Sequence, residues 1–418
     1  MNDTSHYNSR ELKMSTKTPL IKPIKKYLYC LAISVAFLLA AALGAAAAQT
    51  LYINDAQTAF SGAITEAYAI GSDGTAKISS ASAYALTAKG LVSLNGETTG
   101  EGGGGLLYDN GSVLVAADKI KVGLYYYYSG SRDTSLEFAN LENSVGSGYA
   151  FGYIDENREF VPFSEDAMTR ERQITMRPMG EGGVGVYVTG TDNLLWYQDA
   201  AGKNNYLAVR PLSENGDALT WFKGLRYYGD FAYADLGNGK LTVMNIVDVE
   251  HYVMGVCAME MGGGFPLEAL KAQAVAARSY ALFDVVNETY VDRCGFDLTA
   301  DTYSQAYLGY TDDARVINAV ASTENQYLTY NGKIIEALYC AANGGETLDS
   351  ERAFPNVLPY LRGFPDPYER YKWEKGANGH RVGMSQWGAY AMAQYFDKDY
   401  KDILGFYYTS VGLSYGYR

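Results

Sequence analysis

The 418-residue sequence has little histidine, and this scarcity removes several common kinds of active site. Only three histidines are present: His6 lies near the N-terminus, and His251 and His380 lie in the second half. No serine elbow, no metal-spaced histidine pair and no phosphate-binding loop is visible, so a Ser–His–Asp triad or a histidine-ligated zinc has little support. The chemistry that remains is mainly that of carboxylates.

Cysteine is also scarce, and its four copies follow no disulfide framework. Cys30 lies in a long apolar run, which leaves Cys257, Cys294 and Cys340 in the rest of the chain, an odd number at wide spacing. No CxxC pair suggests zinc. We interpret Cys257 and Cys340, which have apolar neighbours, as buried small hydrophobic residues.

Positive charge is concentrated at the N-terminus. Residues 1–26 hold six basic and two acidic side chains, so they carry +4, whereas the rest of the chain carries −17. A body with this charge would not bind nucleic acid or another polyanion by bulk attraction.

A run of 22 uncharged, mostly apolar residues follows this leader at positions 27–48. It is long enough to cross a bilayer core of roughly 30 Å, and the basic flank predicts the N-terminus inside and the body outside. The length favours a retained anchor, although the small residues at 44–48 would also serve as a signal-peptidase site. Both alternatives predict an exported body, either membrane-anchored with an extracytoplasmic C-terminal domain or secreted after cleavage near Ala48.

The exported part reads as an α+β protein. Residues 49–118 form a linker or small region rich in Gly, Ala and Ser, and residues 119–217 form a β-rich accessory region. Strand-like runs lie at 120–128, 184–188, 193–197, 207–211, 220–234 and 240–247, separated by Gly, Asn and Asp turns. Residues 218–418 then mix strands with helices as a core.

Helical periodicity marks three segments of this core. After Pro266, apolar residues recur at spacings of three and four to residue 285 and predict an amphipathic helix. A second helix is predicted to begin at Ser385, a plausible N-cap, and a short final helix to lie near residues 400–408.

Among the carboxylates, Glu260 is the candidate for a catalytic group. It lies between Met259 and Met261 and precedes three glycines that would let a substrate approach the backbone closely. A Glu among apolar neighbours resists ionisation and can deliver a proton near neutral pH. An isolated Glu is most often a solvated side chain, so its context decides the interpretation.

That context resembles a known family. The segments LTVMNIVDVEHYVMGVCAMEM (241–261) and PLEALKAQAVAARSYAL (266–282) are similar to the core of stage II sporulation protein D and of the related LytB amidase-enhancer domain. The resemblance continues in SQAYLGY (304–310), ANGGETLDS (342–350), LPYLRGFPDPYE (358–369), GHRVGMSQWGAYAMA (379–393) and ILGFYYTSVGL (403–413). These segments cover about residues 218–418 in the family's order.

The resemblance implies a lytic transglycosylase that cuts peptidoglycan glycan strands, preferably those without stem peptides, during spore engulfment. The catalytic role passes to Glu260, which would protonate the glycosidic oxygen and then accept the proton of the sugar's own 6-hydroxyl. The product would be a 1,6-anhydro end, and the second carboxylate of ordinary glycosidases would not be needed.

The resemblance also suggests substrate-binding positions. Two alternatives stay open for Lys271, which either contributes to the groove or pairs with Glu268 on the helix surface. His380, Ser385 and Gln386 form a polar cluster that either belongs to the site or caps a helix. The complete set of expected substrate-binding residues is Lys271, Gln273, Arg278, Gln305, Tyr307, His380, Ser385 and Gln386.

Four features depart from the family pattern. Arg381 replaces the second Gly of a motif that usually reads GHGVGMSQ and would narrow or charge the groove, and His251 replaces an Asp. The stretch between Tyr368 and Gly379 is short. The loop at 292–304, where some relatives hold zinc, has Cys294 and no His, so no metal or other cofactor is expected.

Three hypotheses about function follow. The first is the enzyme described above, acting on glycan strands. The second is a wall-bound activator of an N-acetylmuramoyl-L-alanine amidase, and the third is a structural glycan-binding protein that kept Glu260 by descent. Glu260 with its downstream polar motifs favours catalysis, whereas the short segment after Tyr368 favours the other two.

Overall fold

The computed structural model describes residues 117–199, 206–214 and 218–416, and the backbone of six short strands before them. These strands are β1 (Thr50–Ile53), β2 (Glu66–Gly71), β3 (Gly74–Ile78), β4 (Tyr84–Thr87), β5 (Gly90–Ser93) and β6 (Leu107–Tyr108). The basic leader and the apolar run at 27–48 lie outside the described residues. Within the described part, no helix combines the length and hydropathy needed to cross a membrane.

Nineteen further strands follow. The first part of the chain contains β7 (Lys119–Tyr125), β8 (Ala139–Glu142), β9 (Gly148–Ile154), β10 (Phe160–Pro162), β11 (Met168–Thr169), β12 (Gln173–Pro178), β13 (Val184–Val188), β14 (Leu194–Gln198), β15 (Leu207–Leu212), β16 (Thr220–Phe222), β17 (Leu225–Tyr227), β18 (Asp230–Asp235) and β19 (Leu241–Asp248). The second part contains β20 (Leu298–Thr299), β21 (Gln326–Tyr330), β22 (Lys333–Ile334), β23 (Tyr339–Cys340), β24 (Met384–Ser385) and β25 (Gly412–Tyr415).

Two sheets account for most of these strands. The larger has the order β10-β9-β15-β18-β19-β7-β20, with β11 paired to β9, and the second has the order β14-β13-β12-β8-β16-β17. The larger sheet takes strands from both sides of the predicted boundary at 217/218. Its pairings are antiparallel apart from β20 with β7.

The strand-like run at 220–234 forms three strands separated by turns. Lys223 and Gly224 both have positive φ and turn the chain between β16 and β17. Gly229, between β17 and β18, also has positive φ, and a Cβ there would lie 2.1 Å from the carbonyl oxygen of Ile246. The close approach of β19 therefore requires a glycine at this position.

The helices are α1 (Val249–Glu260), α2 (Leu267–Val286), α3 (Val291–Cys294), α4 (Ala314–Ala321), α5 (Gln386–Tyr395) and α6 (Tyr400–Tyr407), with 3₁₀ turns at Ser350–Arg352 and Glu369–Tyr371. The three predicted helices are confirmed. Pro266 is the N-cap of α2, and the Ser385 hydroxyl caps α5 by accepting a hydrogen bond from the Gly388 N–H.

Helix α1 has no counterpart among the predicted elements, although it carries Glu260 as its last residue. It begins directly where β19 ends, with no intervening loop. Asp248 makes this change of structure possible, because its carboxylate accepts hydrogen bonds from the backbone N–H groups of Glu250 and His251.

Helix α2 is the centre of the second half. It packs against α1, α4, α5, α6 and β21, and most of its side chains are buried. The same hydrophobic core continues into the sheets through residues such as Tyr227 and Phe231. The α+β class expected from the sequence is confirmed, and Cys257 and Cys340 are buried in this fold as predicted.

Candidate active site around Glu260

Glu260 lies at the C-terminal end of α1, where it meets the first residue of α5. The Nε2 atom of Gln386 donates a hydrogen bond to Glu260 Oε2 at 3.0 Å, although the two residues are 126 positions apart in the sequence. The helix ends at this residue, and the Glu260 side chain lines a cavity.

Burial controls the ionisation of this carboxylate. Desolvation raises the pKa of Glu260 above its usual value, and hydrogen bonds from Gln386 and from the backbone of Ala306 partly oppose that increase. From the sequence, the resistance of Glu260 to ionisation was expected to come from the flanking residues Met259 and Met261. Met261 is indeed buried, but Met259 is 50% exposed, so the surrounding fold desolvates the carboxylate and its immediate neighbours contribute less.

A cavity of about 590 Å³ extends from Glu260. Two further carboxylates, Asp284 and Glu336, line it, and no Lys or Arg is among its lining residues. Its aromatic lining residues are Tyr280, Phe283, Tyr290, Tyr303, Tyr339 and Phe354. Aromatic faces combined with a few carboxylates are suited to a sugar, whose ring has apolar faces and whose hydroxyl groups need acceptors.

Gln305, a residue expected to bind substrate, forms part of the cavity wall, and its amide is held on both sides. Its Nε2 donates to the Tyr252 hydroxyl at 3.3 Å and to the Ala277 carbonyl at 3.2 Å. Its Oε1 accepts a hydrogen bond from the Tyr339 hydroxyl at 2.7 Å. Gln305 therefore fixes Tyr339, whose hydroxyl group is close enough to Glu260 to be affected by its charge.

Asp284 and Glu336 are site residues that the sequence analysis did not identify. Asp284 is only 4% exposed, and desolvation raises its pKa to about 7. Desolvation also raises the pKa of Glu336, and the charge of Glu336 contributes to the shift of Asp284. The clue available in the sequence is a carboxylate among the apolar residues of the last turns of this helix, four residues after Tyr280.

His380 also lines the cavity. Its Nδ1 accepts a hydrogen bond from the Val382 N–H at 3.1 Å, and its ring packs edge-on against Phe354 with centroids 5.0 Å apart. Desolvation lowers the pKa of this imidazole. His380 is therefore neutral at neutral pH and adds no positive charge to the cavity.

Ser385 does not line the cavity, and the alternative of helix capping describes its place. Besides capping α5, its hydroxyl donates a hydrogen bond to Glu369. Its neighbour Gln386 reaches Glu260. The predicted polar cluster is thus divided: His380 lines the cavity, Gln386 contacts the acid, and Ser385 holds the backbone that positions both.

Four other expected substrate-binding residues lie outside the cavity lining. Lys271 pairs with Glu268 at 2.7 Å, which is the surface alternative. Arg278 is fully buried and bound to Glu250 at 2.5 Å. Tyr307 is buried and donates to Asn245. Gln273 is buried too, with no hydrogen-bond partner for its amide among the described residues. The structure does not place these four residues as substrate contacts. Arg278, Tyr307 and Gln273 are enclosed in the protein interior, and Lys271 pairs with Glu268.

Two sequence features near the site have structural explanations. Arg381 has a φ of +66°, a conformation that glycine adopts readily, and its guanidinium donates to the Asn343 carbonyl and to Glu346, outside the cavity lining. Among the glycines after Glu260, a Cβ on Gly263 would lie 2.1 Å from the Asp313 carboxylate. Gly263 is therefore required for packing against α4, and not for the approach of a substrate.

Comparison with known proteins shows which family this part of the chain resembles. The sequence profile of the stage II sporulation protein (SpoIID) family matches residues 237–330, which include Glu260. An uncharacterized protein of Brachyspira hyodysenteriae is 30% identical over 281 residues, which cover 48% of this chain and 75% of that protein.

Two relatives from Bacillus subtilis carry functional names. Its stage II sporulation protein D is 33% identical over 139 residues, or 30% of this chain and 40% of that protein. Its amidase enhancer is 37% identical over 107 residues, or 26% of this chain and 14% of that protein. This chain thus spans less than half the length of either one. The profile match and these similarities lead to one conclusion: the chain belongs to the stage II sporulation protein D family.

Proposed function

We propose that this protein is a lytic transglycosylase that cleaves peptidoglycan glycan strands with Glu260 as its acid and base. Family membership fits a role in sporulation and the cell wall. The observation that supports the finer assignment is the position of Glu260: a desolvated carboxyl group with raised pKa, at the edge of an aromatic-lined cavity. A raised pKa lets the group retain its proton to higher pH than an ordinary Glu does and deliver it to a leaving group.

The reaction needs one carboxyl group. Protonated Glu260 gives its proton to the glycosidic oxygen while the bond from that oxygen to the anomeric carbon breaks. The resulting carboxylate then takes the proton of the sugar's 6-hydroxyl as that oxygen bonds to the anomeric carbon. Glu260 ends in its initial protonation state, no water is consumed, and the new end is a 1,6-anhydro sugar.

Gln386 has a supporting role in this scheme. Its N–H group favours the charged form of Glu260 and holds one carboxylate oxygen in place. We therefore assign Gln386 as a positioning residue for the acid, in place of the substrate contact expected from the sequence.

The cavity also contains the features of a competing reaction. Glycosidases that add water use two carboxyl groups, and Asp284 and Glu336 lie in the same cavity as Glu260. The products distinguish the two reactions, because an anhydro end is about 18 mass units lighter than a hydrated one.

Mass spectrometry of digested glycan strands tests the proposal. Purified strands without stem peptides are incubated with the full chain, and the E260Q variant serves as the control. We expect 1,6-anhydro oligosaccharides from the native protein and none from the variant. Hydrated reducing ends would assign the protein as a hydrolase, and released stem peptides without glycan cuts would assign it as an amidase. Stimulation of an added amidase without glycan products would support the amidase-activator hypothesis.

We also propose that the catalytic part lies outside the cytoplasmic membrane, where glycan strands are found. The supporting features are the +4 leader and the uncharged run at 27–48. Protease added to intact spheroplasts should remove the C-terminal part while a cytoplasmic marker survives. Full protection of the C-terminus would contradict this orientation.

A further inference from the structure

We propose that Asp284 and Glu336 form a subsite for a sugar with a free, positively charged amino group, so that the cavity prefers N-deacetylated glycan strands. This inference rests on the proposed function for its choice of a glycan ligand. It names the chemical class of saccharide that the cavity would take.

The charge of the cavity wall is the first argument. Three carboxylates line a volume of about 590 Å³, none of the described Lys and Arg side chains does, and burial keeps the imidazole of His380 neutral. A cation would be attracted, because charge interactions become stronger in a space with little water.

The state of the two carboxylates is the second argument. Asp284 accepts a hydrogen bond from the Thr289 hydroxyl at 2.8 Å and a longer one from the Ser304 hydroxyl at 3.4 Å. Within the described residues, no hydrogen bond reaches the Glu336 carboxylate. Together the two groups retain several unused acceptor positions, since each carboxylate offers about four.

An ammonium group complements these acceptors better than an acetamido group does. It supplies three donors, no acceptor and a positive charge, whereas the acetamido carbonyl would place another negative oxygen against the carboxylates. Burial raises the pKa of both Asp284 and Glu336, and no described Lys or Arg side chain lines the cavity to hold their charge. A bound sugar ammonium would supply it.

The aromatic residues around the two acids suit the rest of the ligand. Tyr280 lies one turn before Asp284 on α2, and Tyr290 and Tyr303 line the same cavity. Such rings pack against the apolar face of a pyranose and also attract a nearby cation through their π electrons. The subsite thus combines a stacking surface with two anionic acceptors.

Binding of defined oligosaccharides tests the inference without relying on catalysis. The probes are β-1,4-linked glucosamine oligomers and N-acetylglucosamine oligomers of the same length, measured by isothermal titration calorimetry with the full chain at neutral pH. We expect the glucosamine oligomers to bind at least about tenfold more tightly than the N-acetylglucosamine oligomers, because one charge-assisted hydrogen bond changes the Kd by about this factor. Equal affinity for the two forms would overturn the inference.

Two variants assign the preference to residues. The D284N/E336Q protein should bind both oligomers with similar affinity, while D192N, which removes an exposed carboxylate on the β-rich part, should keep the full preference. E336Q alone removes a carboxylate that makes no hydrogen bond in the described structure, so it reports on binding even if Asp284 substitution weakens the fold. A preference that survives in E336Q and in the double variant would place the amine elsewhere and overturn the assignment.

The failure of this inference and that of the proposed function can be told apart. An amine preference that depends on Asp284 and Glu336, with no anhydro products from any strand, would support the subsite and reject the transglycosylase. Anhydro products together with equal affinity for the two oligomers would support the transglycosylase and reject the subsite.

Discussion

Buried and half-buried carboxylates in this protein occur in two contrasting environments. Glu250 accepts two hydrogen bonds from the Arg278 guanidinium and one from the Asn325 N–H. Glu369 accepts hydrogen bonds from two backbone N–H groups and from Ser385. Both charges are thus compensated by neighbouring groups.

The three cavity carboxylates differ, because in each of them desolvation is the largest influence on the pKa and raises it. Removing a charge from water is costly unless partners replace the lost hydration, so the fold could hold Glu250 and Glu369 for stability alone. Among the described residues, the three carboxyl groups whose pKa is raised by desolvation line one cavity. This contrast separates carboxylates that hold the fold from those available for chemistry and binding.

The largest effect is expected at Glu260. Replacing it with Gln keeps the shape of the side chain but removes the proton that the reaction uses, so glycan cleavage should fall at least about 10²-fold. Because the carboxylate is poorly compensated, the melting temperature should not decrease. Cleavage assays and thermal unfolding of the same preparation provide the test. Nearly normal cleavage by a folded E260Q protein would move the chemistry to another residue.

The opposite outcome is expected at Glu250. In E250Q the fully buried Arg278 loses its charged partner, and breaking such a pair should lower the free energy of unfolding by about 3 kcal/mol. Urea unfolding measures it, with E324Q at an exposed position as the matched control, expected within about 0.5 kcal/mol of the native protein. If E250Q lost no more free energy of unfolding than E324Q, hydrogen bonds from neighbouring groups would not distinguish Glu250 from the cavity carboxylates.

Asp284 predicts a pH dependence of stability. Its pKa in the folded protein is about 7 against an ordinary value of 3.8, so the folded state binds this proton more tightly than the unfolded state. The native protein therefore loses stability as the pH rises between these two values. D284N removes this titration and should be more stable than the native protein near pH 8 by at least about 1.4 kcal/mol, or one pKa unit. If the stability of D284N exceeded that of the native protein by the same amount near pH 8 and near pH 4, the raised pKa of Asp284 would be contradicted.

A smaller effect is expected at Gln386. Its hydrogen bond lowers the pKa of Glu260, so Q386L should raise that pKa. Because the reaction begins with protonated Glu260, the alkaline limb of the pH profile of kcat/KM should move to higher pH, by up to about one unit. An increase in KM with an unchanged pH profile would instead favour the substrate contact expected from the sequence.

The smallest effect concerns Lys271. Its pair with Glu268 is partly exposed, and such pairs contribute little, so K271M should change the free energy of unfolding by less than about 0.5 kcal/mol. Cleavage by K271M should stay within twofold of the native rate, because Lys271 is not among the cavity residues. A tenfold loss at unchanged stability would restore the groove role that the family resemblance suggested.

Features that depend on neighbours within one helical turn could be predicted from the sequence. The bounds of α2 follow from Pro266 and an apolar repeat, and the start of α5 follows from the short capping side chain of Ser385. Helix α1 was missed because it follows β19 without a loop, and the sequence signal that could have found it is Asp248, a favoured N-cap residue. Asp284 was missed for a related reason, since a carboxylate in the last turns of a helix usually faces solvent.

By itself, the sequence determined the α+β class, the helices of the core, the family resemblance and the choice of Glu260 as the candidate acid. The tertiary structure decided which polar groups meet that acid and which do not. It brings Gln386 to Glu260, places Asp284 and Glu336 in the same cavity, and encloses Arg278 and Tyr307 in the interior. The physical reason is range: helix periodicity and capping are local, whereas desolvation and the charge of a cavity are summed over residues far apart in the chain.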